Sequence, residues 1–194
     1  MLCLAAACSP RDFLTRRLAA DLIAGSDTFK APQAFELHTG IISSKDFSSP
    51  EYLVLQRRGW ITGANVRCPP TPGTRVTGPP ACWEVVLTPL GVDAFRDLVP
   101  GSAADSEAFS VPAASRALVA VTGISKDGNL AEVEFQWKWA PLNEVGAALY
   151  AGGMRYNSAV AFRHYDDGWR LVEASSPKSN QGLDDALKNA EPAP

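Results

Sequence analysis

Two periodicities alternate along this chain. After Ser9-Pro10, the residues Phe13, Leu14, Leu18, Leu22 and Ile23 recur at helical spacing until Gly25. This predicts an amphipathic helix capped by serine, with proline at the first position, where a missing N–H costs nothing. Residues 27–48 keep no clear period; within them AFELHTGII fits a short strand or a turn of helix. The start signal returns at SSPEYLVLQRRGW, with Ser49 as cap, Pro50 in the first position, Glu51 in the first turn and Gly59 closing the helix. WITGANVRC and CWEVVLTPLG then flank a proline-rich loop and read as a long hairpin, after which Thr88-Pro89 opens a helix with Leu90, Val92, Phe95 and Leu98 as its apolar stripe.

Residues 99–114 carry no period, and their Ser, Ala, Pro and Gly content predicts a linker. Beyond it the period becomes two. RALVAVTGI, a turn at SKDGN and AEVEFQWKWAP form a hairpin whose second strand sets Ala131, Val133, Phe135, Trp137 and Trp139 on one face and Glu132, Glu134, Gln136 and Lys138 on the other. LNEVGAALYAGG reads as a short helix or loop, and RYNSAVAFRHY with WRLVEAS as a second hairpin turning at Asp167-Gly168. Residues 176–194 are polar, and GLDDALKNA is expected to give one or two helical turns in a loose tail.

Composition narrows the picture modestly. A chain of 194 residues with 46% hydrophobic content can bury a core. A formal charge of -3 and a pI near 5.4 give no bulk electrostatic reason to expect nucleic acid or an anionic membrane as partner. The cysteines say more. Cys68 and Cys82 close CPPTPGTRVTGPPAC, whose five prolines and two glycines can neither pack well nor build a ladder, so a disulfide clamp suits it. Free thiols and a metal site are the alternatives, although zinc would want further Cys or His nearby. A disulfide implies an oxidising compartment.

Three segments resemble known families. LAAAC, ending at Cys8 and followed by Ser9, is similar to the lipobox of bacterial lipoproteins, with Ala5 where a larger aliphatic is usual. The resemblance implies that residues 1–8 are the remnant of a signal and that Cys8 is lipidated. The pieces LQRRGWI and VVLTPLG resemble the winged-helix fold over residues 50–98. The strands of residues 115–175, ending in YDDGWRLVE, look like the curved sheets of cystatin and NTF2-like domains. The expected fold class is α+β: a winged-helix-like domain over 9–98, a linker over 99–114, and a four-stranded antiparallel sheet over 115–175.

Candidate chemistry is sparse. Only two histidines exist, and no nucleophile elbow, phosphate loop or metal-ligand spacing accompanies them. No cofactor and no metal are expected. His164 beside Asp166 and Asp167 is the one acid-base candidate, as a general base oriented by either aspartate, and Asp-Gly geometry at a turn explains the same residues without chemistry. His38 stands near Glu36 on the same side of a strand. Trp137 and Trp139, with Tyr150, Tyr156 and Tyr165 as rim groups, form a candidate ligand groove, or else plain core. Arg57, Arg58, Arg67 and Arg75 would meet phosphates if the first half bound DNA. The favoured function is a non-catalytic cell-envelope module, lipid-anchored or periplasmic or secreted, binding a protein or an apolar small molecule. The alternatives are a small hydrolase using His164, and a cytoplasmic winged-helix regulator.

Overall fold

The structure is a computed structural model that describes residues 13–69, 81–98, 108–150, 152–174 and 182–193. In chain order its elements are α1 (Arg16–Gly25), α2 (Asp27–Lys30), β1 (Gln33–His38), β2 (Gly40–Ser43), α3 (Ser44–Phe47), α4 (Pro50–Arg57), β3 (Ile61–Arg67), β4 (Ala81–Leu87) and α5 (Pro89–Phe95). There follow β5 (Ala108–Asp127), β6 (Leu130–Pro141), α6 (Glu144–Leu149), β7 (Arg155–Tyr165), β8 (Gly168–Leu171), α7 (Leu183–Lys188) and β9 (Glu191–Pro192). The fold is a mixture of helices and antiparallel sheets, as expected.

The chain divides into two compact units. One holds residues 1–31, 115–140 and 152–194; the other holds 32–114 and 141–151. This differs from the sequence expectation of consecutive domains, because helix α1 joins the unit of the second hairpin and β1 pairs forward with β5. Residues 108–114, expected as linker, are strand, with His38↔Ala108 through Ala34↔Pro112 in register and a bulge at Gln33/Ala34. The four-stranded sheet is likewise enlarged: the ladder through β5 joins six strands in the order β1-β5-β6-β7-β8, with β9 also on β7.

In the first unit, α1 starts later than Ser9-Pro10, which lie outside the described residues. Thr15 caps it, its hydroxyl oxygen accepting from the Leu18 N–H at 3.1 Å. Ala19 and Ile23 are fully buried against β6 residues Val133, Phe135 and Trp137, so the alternation of AEVEFQWKW is realised. The tail is not loose where it is described. Leu183, Ala186 and Leu187 enter the same core, and β9 pairs as Asn157↔Glu191 and Tyr156↔Pro192.

In the second unit, AFELHTGII becomes two strands separated at Thr39, with β2 opening on Gly40, whose φ of 79° is a left-handed value that glycine adopts without strain. Three strands run in the order β2-β4-β3, and the β3–β4 hairpin is closed by the expected Cys68–Cys82 disulfide, with Cα atoms 5.1 Å apart. Helix α4 begins with Pro50 at its first turn as expected, but the Ser49 side chain makes no cap hydrogen bond. Helix α5 is capped by Thr88 as expected, yet its stripe differs: Leu90 and Val92 are 63% and 42% exposed, and the buried residues are Gly91 and Phe95. A Cβ on Gly91 would stand 2.9 Å from the Trp60 carbonyl carbon, so hydrogen alone lets the helix reach that backbone. Gly146 of α6 approaches the Ala113 backbone in the same way. Asn143 positions that helix by accepting from the Gly146 N–H at 2.8 Å and donating to the Pro112 carbonyl at 2.6 Å.

Candidate functional site

The aromatic strand face of the first unit is core. Phe135 and Trp137 are 1% and 2% exposed, Trp137 stacks on Tyr156 at 4.7 Å between centroids, and Trp139 meets it edge-on at 5.0 Å. The Trp137 indole N–H donates to Ser158 Oγ at 3.1 Å, and that hydroxyl donates on to the Ala186 carbonyl at 2.8 Å. Arg116 completes the cluster, its guanidinium 4.9 Å from the Trp139 centroid and 5.6 Å from that of Trp137. It also donates to the carbonyls of Thr28 and Ala31, both at 3.2 Å. Burial lowers the Arg116 pKa from its ordinary value. The groove expected on Trp137 is thus corrected to a packed cluster, because α1, α2 and α7 supply the covering residues. Of the expected rim, Tyr156 is packed into the cluster, Tyr165 lies exposed at the end of β7, and Tyr150 belongs to the second unit.

His164 faces the Trp169 ring at 5.0 Å, and its Nε2 is buried with no hydrogen-bond partner. The Asp167 carboxylate instead accepts from Arg170, an exposed pair that holds Asp167 below the usual carboxylate range and raises Arg170. With His164 Nε2 buried, the nitrogen that a general base would turn toward a substrate does not face solvent. Arg57, Arg58 and Arg67 are exposed at the ends of α4 and β3; Arg75 and Cys8 lie outside the described residues. Among the described residues no group of three or more His, Cys, Asp or Glu could hold a metal ion, and no helix is long and apolar enough to cross a membrane.

Sequence reasoning missed a cleft in the second unit. A cavity of about 410 Å³ opens between β1, α3, the start of α4 and the end of α6. Alternation on β1 buries Phe35 and Leu37 and turns Glu36 and His38 outward into it. Asp46 enters from α3, where it also accepts from the Ser43 hydroxyl at 2.7 Å, and Glu51 enters from the first turn of α4. Half-buried Tyr150 supplies ring surface, whereas the Tyr52 ring is buried against Phe35 and Phe47 and brings only its edge to the lining. The Tyr52 hydroxyl accepts from the His38 N–H at 2.8 Å and donates to the His38 carbonyl at 3.0 Å, tying α4 to the end of β1. Its pKa is raised, first by burial and further by Asp46, against the lowering effect of the His38 N–H. Three carboxylates line the cavity and no Lys or Arg does.

The first unit has a larger cavity, about 550 Å³, lined by Glu134, Gln136, Asn157, Asn189 and Glu191. Its one ring, Phe135, is 1% exposed, so it offers a ligand no aromatic surface. No family model, no curated protein and no solved structure matches this chain.

Proposed function

We propose that this protein is a non-catalytic binding module of the cell envelope, lipid-anchored through Cys8, and that it receives an organic cation in the cleft of the second unit. The ligand is an alkyl-ammonium or guanidinium group on a short apolar stem, free or borne by a peptide. The observation that carries the binding reading is the cavity lining: Glu36, Asp46 and Glu51 beside the half-buried Tyr150 ring, with no Lys or Arg. An incoming ammonium group finds uncompensated negative charge there, and its stem finds ring surface, which together favour cations over neutral or anionic molecules. The disulfide supports an oxidising location.

The scaffold readings remain compatible with this role. Strand order β2-β4-β3, with α3 and α4 between β2 and β3, supports a winged-helix-like description of that segment. Helix α1 sharing a core with the β6–β7 strands supports the cystatin- or NTF2-like one.

Calorimetric titration of the full chain with cadaverine and, separately, with glutarate tests the reading. Cadaverine is expected to bind and glutarate not to bind. Glu36→Gln combined with Glu51→Gln, both at exposed positions, is expected to weaken cadaverine at least tenfold. Equal affinity for the two probes, or an unchanged double variant, would overturn it.

A further inference from the structure

We infer that one end of the first unit is a bilayer-contact surface, which rests on the proposed lipidation of Cys8. That end is built by the β5–β6 turn, the β7–β8 turn and the residues leading into α1. The two turns are tied together by the His164 N–H donating to the Asn129 carbonyl at 2.8 Å.

Three large apolar side chains are exposed there: Phe13 at 56%, Leu130 at 38% and Tyr165 at 44%. Cations lie over the rings. Lys126 Nζ is 4.8 Å from the Trp169 centroid and 5.7 Å from that of Phe13, and the Arg170 guanidinium is 5.0 Å from that of Tyr165. Arg163 stands opposite Leu130 across the strand pair. Rings and aliphatic surface topped by Lys and Arg suit the headgroup layer, where the apolar body enters the acyl boundary and the charge stays with phosphate.

Tether length identifies the occupant. Phe13 lies five positions after Cys8, and whatever path the chain takes that separation spans at most roughly 18 Å. An acyl chain on Cys8 therefore keeps Phe13, and with it this end, within roughly 18 Å of the membrane. Lipid attachment by a single chain is marginal unless a second contact assists it. The aromatic end supplies that contact through its apolar surface: Lys126, Arg163 and Arg170 are matched in number by Asp127, Asp166 and Asp167, the last paired with Arg170, so exposed Phe13, Leu130 and Tyr165 rather than net charge carry it.

The test uses the full chain with Cys8→Ser, so that no lipid contributes, and equimolar phosphatidylglycerol and phosphatidylethanolamine vesicles at millimolar lipid. Co-sedimentation of this chain is expected. Adding Phe13→Ser and Tyr165→Ser is expected to lower the partition coefficient about tenfold or more, and Lys126→Glu to lower it further at low salt. Leu90→Ser, in the second unit, is expected to leave it unchanged. No partitioning of the Cys8→Ser chain, or equal partitioning of the Phe13/Tyr165 variant and the Leu90 control, would overturn the inference. Mass spectrometry of the chain made in a bacterial host from its own upstream region reports acylation separately. Partitioning without acylation removes the anchor and keeps the surface; acylation without partitioning removes the surface alone.

Discussion

Replacing Gly91 with alanine sets two physical effects against each other. Helix propensity favours alanine by about 1 kcal/mol in a helix interior. Against this, the new Cβ would lie 2.9 Å from the Trp60 carbonyl carbon and nearer still to its oxygen. The Trp60 carbonyl would have to retreat by roughly an ångström to restore ordinary contact distance. That carbonyl accepts the Thr88 N–H at 3.0 Å, and Trp60 packs edge-on against the buried Phe95 at 6.1 Å. Losing one buried backbone hydrogen bond and straining this packing costs about 2–4 kcal/mol. The net expectation for Gly91→Ala is a loss of about 1–3 kcal/mol, read as a lower urea midpoint with the disulfide intact. Leu90→Ala is the paired control. Were Leu90 on the buried stripe, truncation would cost about 2–5 kcal/mol; at 63% exposure it is expected to change stability by less than about 0.5 kcal/mol. A stabilising Gly91→Ala, or a costly Leu90→Ala, would refute the close approach of α5 to Trp60.

Other outcomes follow from the same packing. Reducing the Cys68–Cys82 bond, whose cysteines are 14 residues apart, is expected to lower stability by about 3 kcal/mol, measured as a urea midpoint with and without reductant. Arg116→Ala is expected to cost about 2–4 kcal/mol, and Arg116→Lys to recover little of it, since an ammonium cannot reach two carbonyls and cover Trp139 together; thermal melts check both. The Tyr52 pKa is raised by burial above the ordinary 10.0, so the folded state keeps its proton when the unfolded state has lost it. Stability is therefore level with respect to this group below about pH 10 and falls as pH rises toward the folded value, a slope that Tyr52→Phe should remove in alkaline denaturation.

What the sequence disclosed and what it hid have physical causes. The inward set Ala131, Val133, Phe135 and Trp137 was legible because a strand with one buried face alternates strictly. The stripe of α5 was misread because its inward residue, Gly91, carries no hydrophobic signal; close approach selects it. Residues 108–114 read as linker because Pro112 and four alanine or serine residues mask the strand, although Phe109, Val111 and Ala113 alternate inward. Their partner, β1, lies far back in the chain, and pairing over such a separation leaves no local trace. The tail carries a short apolar pattern at Leu183, Ala186 and Leu187, too brief to distinguish from a frayed end. The Cys68–Cys82 clamp was legible from the loop it closes. The cleft was not, because its walls come from residues 36, 38, 46, 51, 52 and 150, which share no motif and meet only through the fold.

The most direct test of the binding role is nuclear magnetic resonance of the isotopically labelled full chain during cadaverine addition. The proposed function requires the largest amide shifts at Glu36, His38, Asp46, Glu51 and Tyr150, saturating together along one binding curve. Shifts confined to Glu134, Asn157 and Glu191 of the other cavity, or none that saturate, would contradict it.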